Sequence, residues 1–110
     1  MCKLISKLPD NWSEIRRGTA FKAIWNVGNI GLLDWVPGAV VLNFTGGNKL
    51  QAQLSTYSLP TVIHPGKSIR LSVDMIAPKQ ADTYISNWGL MLTNKTQLVF
   101  CPLVVRIIVY

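Results

Sequence analysis

The chain has 110 residues, of which 49% are hydrophobic and 15% charged, so it is long enough for one core and too apolar for a disordered segment or a coiled coil. The net charge of +6 suits an acidic partner, but the basic residues are scattered and Arg16-Arg17 is the only adjacent pair, which argues against nucleic-acid binding. No apolar run approaches the roughly 20 residues of a membrane-spanning helix, so no membrane span is predicted.

The N-terminal residues show the weakest pattern. We predict one domain over residues 1–110, with residues 1–18 as an N-terminal arm. Only residues 11–17 fit a period of 3.6 residues, which predicts one short helical turn. Trp12 lies in this polar stretch, either as a lid over the core or as part of an exposed patch that binds a partner.

Most of the remaining sequence alternates between apolar and polar residues, which is typical of half-buried antiparallel strands. Residues 67–75 alternate most clearly. The other predicted strands are residues 19–28, 39–45, 50–59, 83–92 and 104–110. The turn residues between strands are Pro37-Gly38, Gly46-Gly47-Asn48, His64-Pro65-Gly66, Pro78 and Asn94-Lys95. Short strands with turns at these intervals predict an all-β, immunoglobulin-like β-sandwich of about seven antiparallel strands.

The segment between Trp25 and Trp35 has the spacing W-x3-N-x-G-x3-W. Trp25 falls on the apolar face of its strand, where a large aromatic side chain anchors the space between two sheets. We expect Asn29 and Gly31 to form the following turn, because both tolerate left-handed backbone. Trp35 follows that turn and is expected to be partly exposed.

The order and spacing of several short motifs resemble the four-tryptophan (FW) domain. This is the Ig-like central domain of the next-to-BRCA-one autophagy receptors, with relatives in bacteria. The matching residues are Phe21, Trp25, Asn29, Gly31, Trp35, Phe44, Gly46, Gly47, Pro65, Gly66, Val73, Ala77, Pro78, Thr83, Tyr84, Trp88 and Leu90. Val105 stands where the family has its fourth tryptophan, so three of the four signature positions match.

The resemblance implies a non-enzymatic protein-interaction module that docks a partner protein or an extended peptide. The docking surface is expected at an exposed strand edge or in a groove beside Trp35. The candidate binding residues are Trp35, Trp12 and Tyr84. The candidate core residues are Phe21, Trp25, Val73 and Trp88. For Tyr84 a structural role is also expected, with its hydroxyl bonded to the backbone at a strand corner.

No catalytic constellation appears in the sequence. His64, the only histidine, precedes Pro65-Gly66 in a turn, and no nucleophile motif accompanies it. We therefore predict no enzyme, no metal and no cofactor. Cys2 and Cys101 can form a disulfide if the first and last strands are neighbours, and otherwise remain free thiols.

Two other functions remain open. The chain can be a structural spacer, or a polysaccharide-binding module with Trp12 and Trp35 stacked on sugar rings, in either case in a bacterial cell-envelope protein. The compartment is open as well: cell surface, secreted and cytoplasmic are all compatible with the sequence. Finally, residues 104–110 are apolar with only Arg106 as a charge, which predicts an exposed edge strand and a homodimer through it.

Overall fold

The structure is a computed structural model that describes residues 1–94 and 98–110. Its eight strands are β1 (Cys2–Leu8), β2 (Ser13–Ile15), β3 (Ala20–Asn29), β4 (Val40–Gly47), β5 (Thr56–Ser58), β6 (Ser68–Ile76), β7 (Asp82–Leu92) and β8 (Val99–Val109). The predicted all-β sandwich is confirmed, with eight strands instead of about seven. Lys95, half of a predicted turn, lies outside the described residues.

The strands form two facing sheets, one in the order β1-β3-β6 and the other in the order β2-β8-β7-β4-β5. All pairs are antiparallel except β2 with β8, which is parallel. Four predicted strands, residues 19–28, 39–45, 67–75 and 83–92, agree with β3, β4, β6 and β7 within two residues at each end. These are the strands whose alternating side chains face a core on one side and solvent on the other.

Two tryptophans fill the centre of the core. The core contains Trp25, Val73 and Trp88, and Phe21 packs against it half-buried. The Trp25 and Trp88 ring centroids lie 6.3 Å apart. Each indole N–H has a partner, because Trp25 Nε1 donates to the Val104 carbonyl (3.3 Å) and Trp88 Nε1 to Ser86 Oγ (2.9 Å). Both rings therefore bury their area without an unpaired polar group.

The short helical turn predicted for residues 11–17 is wrong. Ser13–Ile15 form β2, which pairs with the last residues of β8. Trp12 has a left-handed backbone (φ 63°) and its N–H donates to the Arg106 carbonyl at 2.8 Å. The extended form is favoured because it lets this segment exchange hydrogen bonds with the backbone along the outer edge of β8. β1 is also part of the sandwich, since it pairs with β3.

The strand predicted over residues 50–59 is mostly wrong, because this segment crosses from one sheet to the other. Its first residues bond to the edge of β6, with Ala52 N donating to Asp74 O and Leu50 O accepting from Ile76 N, both at 2.9 Å. Its last residues form β5 on the edge of β4. Only Thr56–Ser58 form a strand, and Leu50 is buried where the crossing begins.

The predicted exposed edge at residues 104–110 is also wrong, because β8 lies between β7 and β2. β2 covers β8 from Ile107 onward. The uncovered part of β8 has few free backbone groups with which a further strand could pair. The Val104 carbonyl, for example, already accepts hydrogen bonds from Trp25 Nε1 and from Lys7 Nζ (3.4 Å). Pro102 has the same strand parity as Val104 and lacks an N–H. The homodimer stays a prediction, but this edge argues against it.

Candidate functional site

An open apolar groove of about 720 Å³ lies at the end of the sandwich where β3 stops. Trp35 and Phe100 lie at its base, with ring centroids 5.6 Å apart. The side chains around it are Met1, Ile30, Leu32, Leu33, Val40, Leu92 and Leu98. Trp35 is only 5% exposed, so the expectation that it is partly exposed is wrong. The ring is buried because residues distant in sequence, above all Phe100, pack against it.

One wall of the groove, residues 30–34, is held by the side chain of Asn29. This side chain is fully buried. Its Nδ2 donates to the carbonyls of Leu33 (3.0 Å) and Ile63 (2.8 Å), and its Oδ1 accepts from the N–H of Gly31 (3.0 Å). A buried amide with all these partners fixes the path of the loop, because every alternative path leaves a polar group unpaired.

Asn29 and Gly31 therefore do not act as the sequence predicts. Neither has a positive φ. Asn29 still belongs to β3, where its backbone N–H donates to Lys67 O (2.8 Å) and its carbonyl accepts from Gly66 N (2.7 Å). At Gly31 a Cβ would lie 3.5 Å from the Met1 Cβ, which is an ordinary van der Waals contact, so the packing here does not require a glycine. The turn depends on a side-chain amide and not on left-handed backbone.

The walls of the groove expose an unusual amount of apolar surface. Leu32 is 95% exposed and Leu33 81%, while Met1, Ile30 and Leu98 are each more than half exposed. Single exposed apolar residues are common, but a contiguous group around a concave base is typical of an interaction site. The hydrogen bonds of Asn29 fix the loop that carries these leucines.

The charged groups near the groove are few. Among the lining residues that the structure describes, Asp34 is the only one with a charged side chain, and its Oδ1 lies 2.9 Å from His64 Nδ1. Trp35 and Ile63 exchange two backbone hydrogen bonds, 3.0 and 2.9 Å long. The base of the groove therefore offers apolar contact and few free polar groups. Within the described ranges no three His, Cys, Asp or Glu residues come together as metal ligands.

A disulfide lies beside the groove. The sequence leaves open whether Cys2 and Cys101 are bonded or remain free thiols, and the structure shows that they are bonded. Their Cα atoms lie 5.8 Å apart. The bond joins β1 in one sheet to β8 in the other. Each cysteine is next in sequence to a groove residue, Met1 and Phe100 respectively. The disulfide therefore fixes two sides of the groove relative to each other.

The three predicted binding residues are not brought together. Trp35 lies beside Phe100 at one end of β8, whereas Tyr84 pairs with Ile107 near the other end. Seven residues of strand separate those two positions by about 23 Å. Trp12 is 44% exposed and lies beside the same far end of β8. Of the three, only Trp35 belongs to the groove.

Sequence reasoning missed the residues that form the groove wall. Ile30, Leu32, Leu33 and Leu98 are absent from the predicted site. A signal was present, because "NIGLLDW" places three large apolar residues in a predicted turn. Turns are ordinarily rich in Gly, Pro, Asn, Asp and Ser, so an apolar turn indicates surface that is kept exposed for contact.

Tyr84 has the structural role that the sequence predicts, since its hydroxyl donates to the Gln80 carbonyl at 2.7 Å. Tyr84→Phe should therefore lower the free energy of unfolding by about 1 kcal/mol, the net value of one hydrogen bond. Tyr57→Phe is the control, because the ring of Tyr57 packs on Trp88 and its hydroxyl bonds to no described residue. Urea denaturation measures both. Equal midpoints for Tyr84→Phe and wild type would refute a structural hydroxyl.

The fold and the corner tyrosine define the class of the protein. Two packed sheets of mainly antiparallel strands, tryptophans between them and a tyrosine hydroxyl bonded four residues upstream are the features of an immunoglobulin-like β-sandwich. The chain belongs to the family described as the Ig-like domain from next to BRCA1 gene, whose model matches residues 8–109. The resemblance inferred from the motifs is thus confirmed.

No individual curated protein is similar enough to the chain to be matched with it. The residues that the structure describes include no helix of the length and apolarity needed to cross a membrane.

Proposed function

We propose that the chain is a non-enzymatic protein-interaction module that holds an extended apolar segment of a partner protein in the groove at the end of β3. The observation that carries the proposal is the exposure of Leu32 and Leu33 beside the buried Trp35–Phe100 pair. Membership of an Ig-like family supports protein interaction in general. Burial of exposed leucines is the largest favourable contribution that this surface can make to binding.

The shape of the groove favours a segment of polypeptide. Its volume of about 720 Å³ lies in the range that encloses a few side chains. In the described part of the chain the backbone N–H groups of Ile30, Leu32 and Asp34 donate to no protein acceptor. An extended segment supplies apolar side chains to the groove and carbonyl oxygens to these N–H groups at the same time.

The residues near the groove do not support catalysis. Ig-like domains are typically non-catalytic, and His64 is exposed and bonded to Asp34. His64 forms no hydrogen bond to a described serine, and no described cysteine is a free thiol. Acyl transfer or hydrolysis would need a nucleophile, a base and an oxyanion site within hydrogen-bond reach of one another. Binding is the activity that the geometry supports.

Leu33→Asp should weaken binding of a groove ligand at least about tenfold, because it places a charge where an apolar side chain is buried in the complex. Ligands are selected from a library of displayed peptides on wild-type protein. Affinities are then measured by titration, and the contacted residues by amide chemical shifts. In wild type we expect shifts concentrated in residues 30–35 and 98–100.

The matched control is Leu54→Asp, which changes another exposed leucine (59%) that does not line the groove. It should bind the selected peptides like wild type. If Leu33→Asp is folded and binds them equally well, or if their shifts map to Trp12 and the far end of β8, the groove is not the docking site.

The two alternative functions have weaker support. Sugar stacking needs exposed ring faces, and Trp35 at 5% exposure offers none, which leaves Trp12 alone. A structural spacer is the function that remains if the library yields no ligand at all. The exposed leucines argue against it, because a spacer has no use for apolar surface kept open to solvent.

A further inference from the structure

The acidic residues are distributed unevenly over the molecule. Of the five, only Asp34 lies at the groove. Glu14 and Asp82 lie at the last residues of β8, opposite Ile108 and Val109. Asp10 precedes β2, and Asp74 pairs with Lys22 near the start of β3. Lys22 is seven residues from Asn29 along β3, and Ile108 is eight residues from Phe100 along β8. At about 3.3 Å per residue these carboxylates lie more than about 20 Å from the groove, which exceeds the screening length of about 10 Å at 0.1 M salt.

Two lysines lie on either side of the end of β3, next to the groove. Lys3 is opposite Gly28 on β1, and the Lys67 carbonyl accepts from the N–H of Asn29. Both side chains are exposed, and neither forms an ion pair within residues 1–94 and 98–110. The one nearby carboxylate, Asp34, is already bonded to His64. Neither lysine lines the groove, but each adjoins a residue that does, because Lys3 is two residues from Met1 and Lys67 is bonded to Asn29. The unpaired side-chain charge next to this apolar surface is therefore positive.

We infer that the segment which the groove holds carries aspartate or glutamate residues next to its apolar side chains. This inference rests on the proposed function and specifies its ligand. The apolar side chains would contact Leu33 and the Trp35–Phe100 base, while the acidic ones lie near Lys3 and Lys67. Charge complementarity of this kind steers association and suppresses wrong partners more than it adds affinity.

The same charges argue against two other occupants. A second copy of the chain in a symmetric dimer would place Lys3 and Lys67 of both copies near each other, which opposes association. An anionic bilayer matches the charge, but a flat surface does not reach the Trp35–Phe100 pair at the base of a concave groove. An acidic and apolar segment matches both the charge and the shape.

The test uses three synthetic nine-residue peptides, acetylated and amidated so that the ends carry no charge. The first has a core of leucine and valine with glutamate on both sides, the second has the same core with lysine, and the third has a serine core with glutamate. In low salt the glutamate-flanked apolar peptide should bind about fivefold tighter than the lysine-flanked one, with chemical shifts in residues 30–35. The difference should shrink at 0.5 M salt, where the screening length is a few ångströms.

Charge reversal tests the assignment of the lysines. Lys3→Glu combined with Lys67→Glu should reverse the preference, so that the lysine-flanked peptide binds tighter. The matched control, Lys49→Glu with Lys79→Glu, changes the net charge equally at exposed sites beside the start of β3, at the opposite end of that strand from the groove. It should keep the preference for glutamate.

The outcomes separate this inference from the proposed function. Equal binding of both apolar peptides at the groove overturns the acidic ligand and leaves the groove as a peptide site. Failure of all three peptides and of the library overturns both. Chemical-shift changes at the groove that occur only with vesicles of phosphatidylglycerol would overturn both in favour of a lipid surface. A molecular mass in light scattering that doubles with protein concentration, and is lower in Leu33→Asp, would overturn both in favour of a second copy.

Discussion

Reduction of the Cys2–Cys101 disulfide should lower the free energy of unfolding by about 2–5 kcal/mol. The sequence separation of 99 residues makes this a large effect, because a cross-link that closes a long loop restricts the unfolded chain most. Cys101 is also fully buried. We further expect β1 to be less firmly fixed to the other sheet after reduction. Met1, which forms one side of the groove, should then be less well positioned.

Guanidinium denaturation with and without dithiothreitol measures this effect, and mass spectrometry after alkylation confirms the state of the thiols. The double variant Cys2→Ser/Cys101→Ala is the control. Its denaturation midpoint should equal that of the reduced wild type and should not change when dithiothreitol is added. If oxidised and reduced wild type unfold at the same midpoint, the bond contributes no stability and the groove does not depend on it.

Asn29→Ala should destabilise the fold by about 2–4 kcal/mol, the cost of leaving several buried polar groups unpaired. The Leu33 carbonyl would lose its partner and the Gly31 N–H its acceptor. The Ile63 carbonyl would keep its bond from Trp35 N, which limits the loss. Since these bonds hold the groove wall, peptide affinity should fall as well.

The matched control is Asn26→Ala on the same strand, where the side-chain amide donates to Ser6 Oγ at the surface (2.6 Å). Water can replace that partner, so a loss below about 0.5 kcal/mol is expected. Thermal unfolding of both variants gives the comparison. If Asn29→Ala costs no more than Asn26→Ala, the buried amide does not hold the loop and the groove has another support.

The strands that the sequence predicted well are those that alternate between core and solvent. Residues 67–75 became β6 with a shift of one residue, because burial of one face imposes a period of two on the sequence. β2 was missed, since three residues that pair with β8 mainly through the backbone leave no side-chain pattern. The crossing segment before β5 was misread because its first and last residues belong to different sheets.

The groove was only partly predictable. Trp35 was identified from its spacing, but its burial depends on Phe100, which is distant in sequence. Asn29 was recognised as a turn residue, yet its role depends on the carbonyl of Ile63. A sequence pattern reports local geometry and cannot report which distant residue completes a contact. The apolar run of Leu32 and Leu33 is visible in the sequence, but its exposure depends on the path of the loop that Asn29 fixes.

The disulfide also determines how the domain bears mechanical load. Tension applied to the two ends of the chain enters at Cys2 and passes directly to Cys101 through a covalent bond. The strands between the two cysteines, including the whole central core, are therefore shielded from that tension. Only the part of β8 beyond Cys101 can be peeled away, and the hydrogen bonds with β7 and β2 resist it. Under force the oxidised domain should extend by the length of that short segment alone, while the reduced domain unravels along its full length.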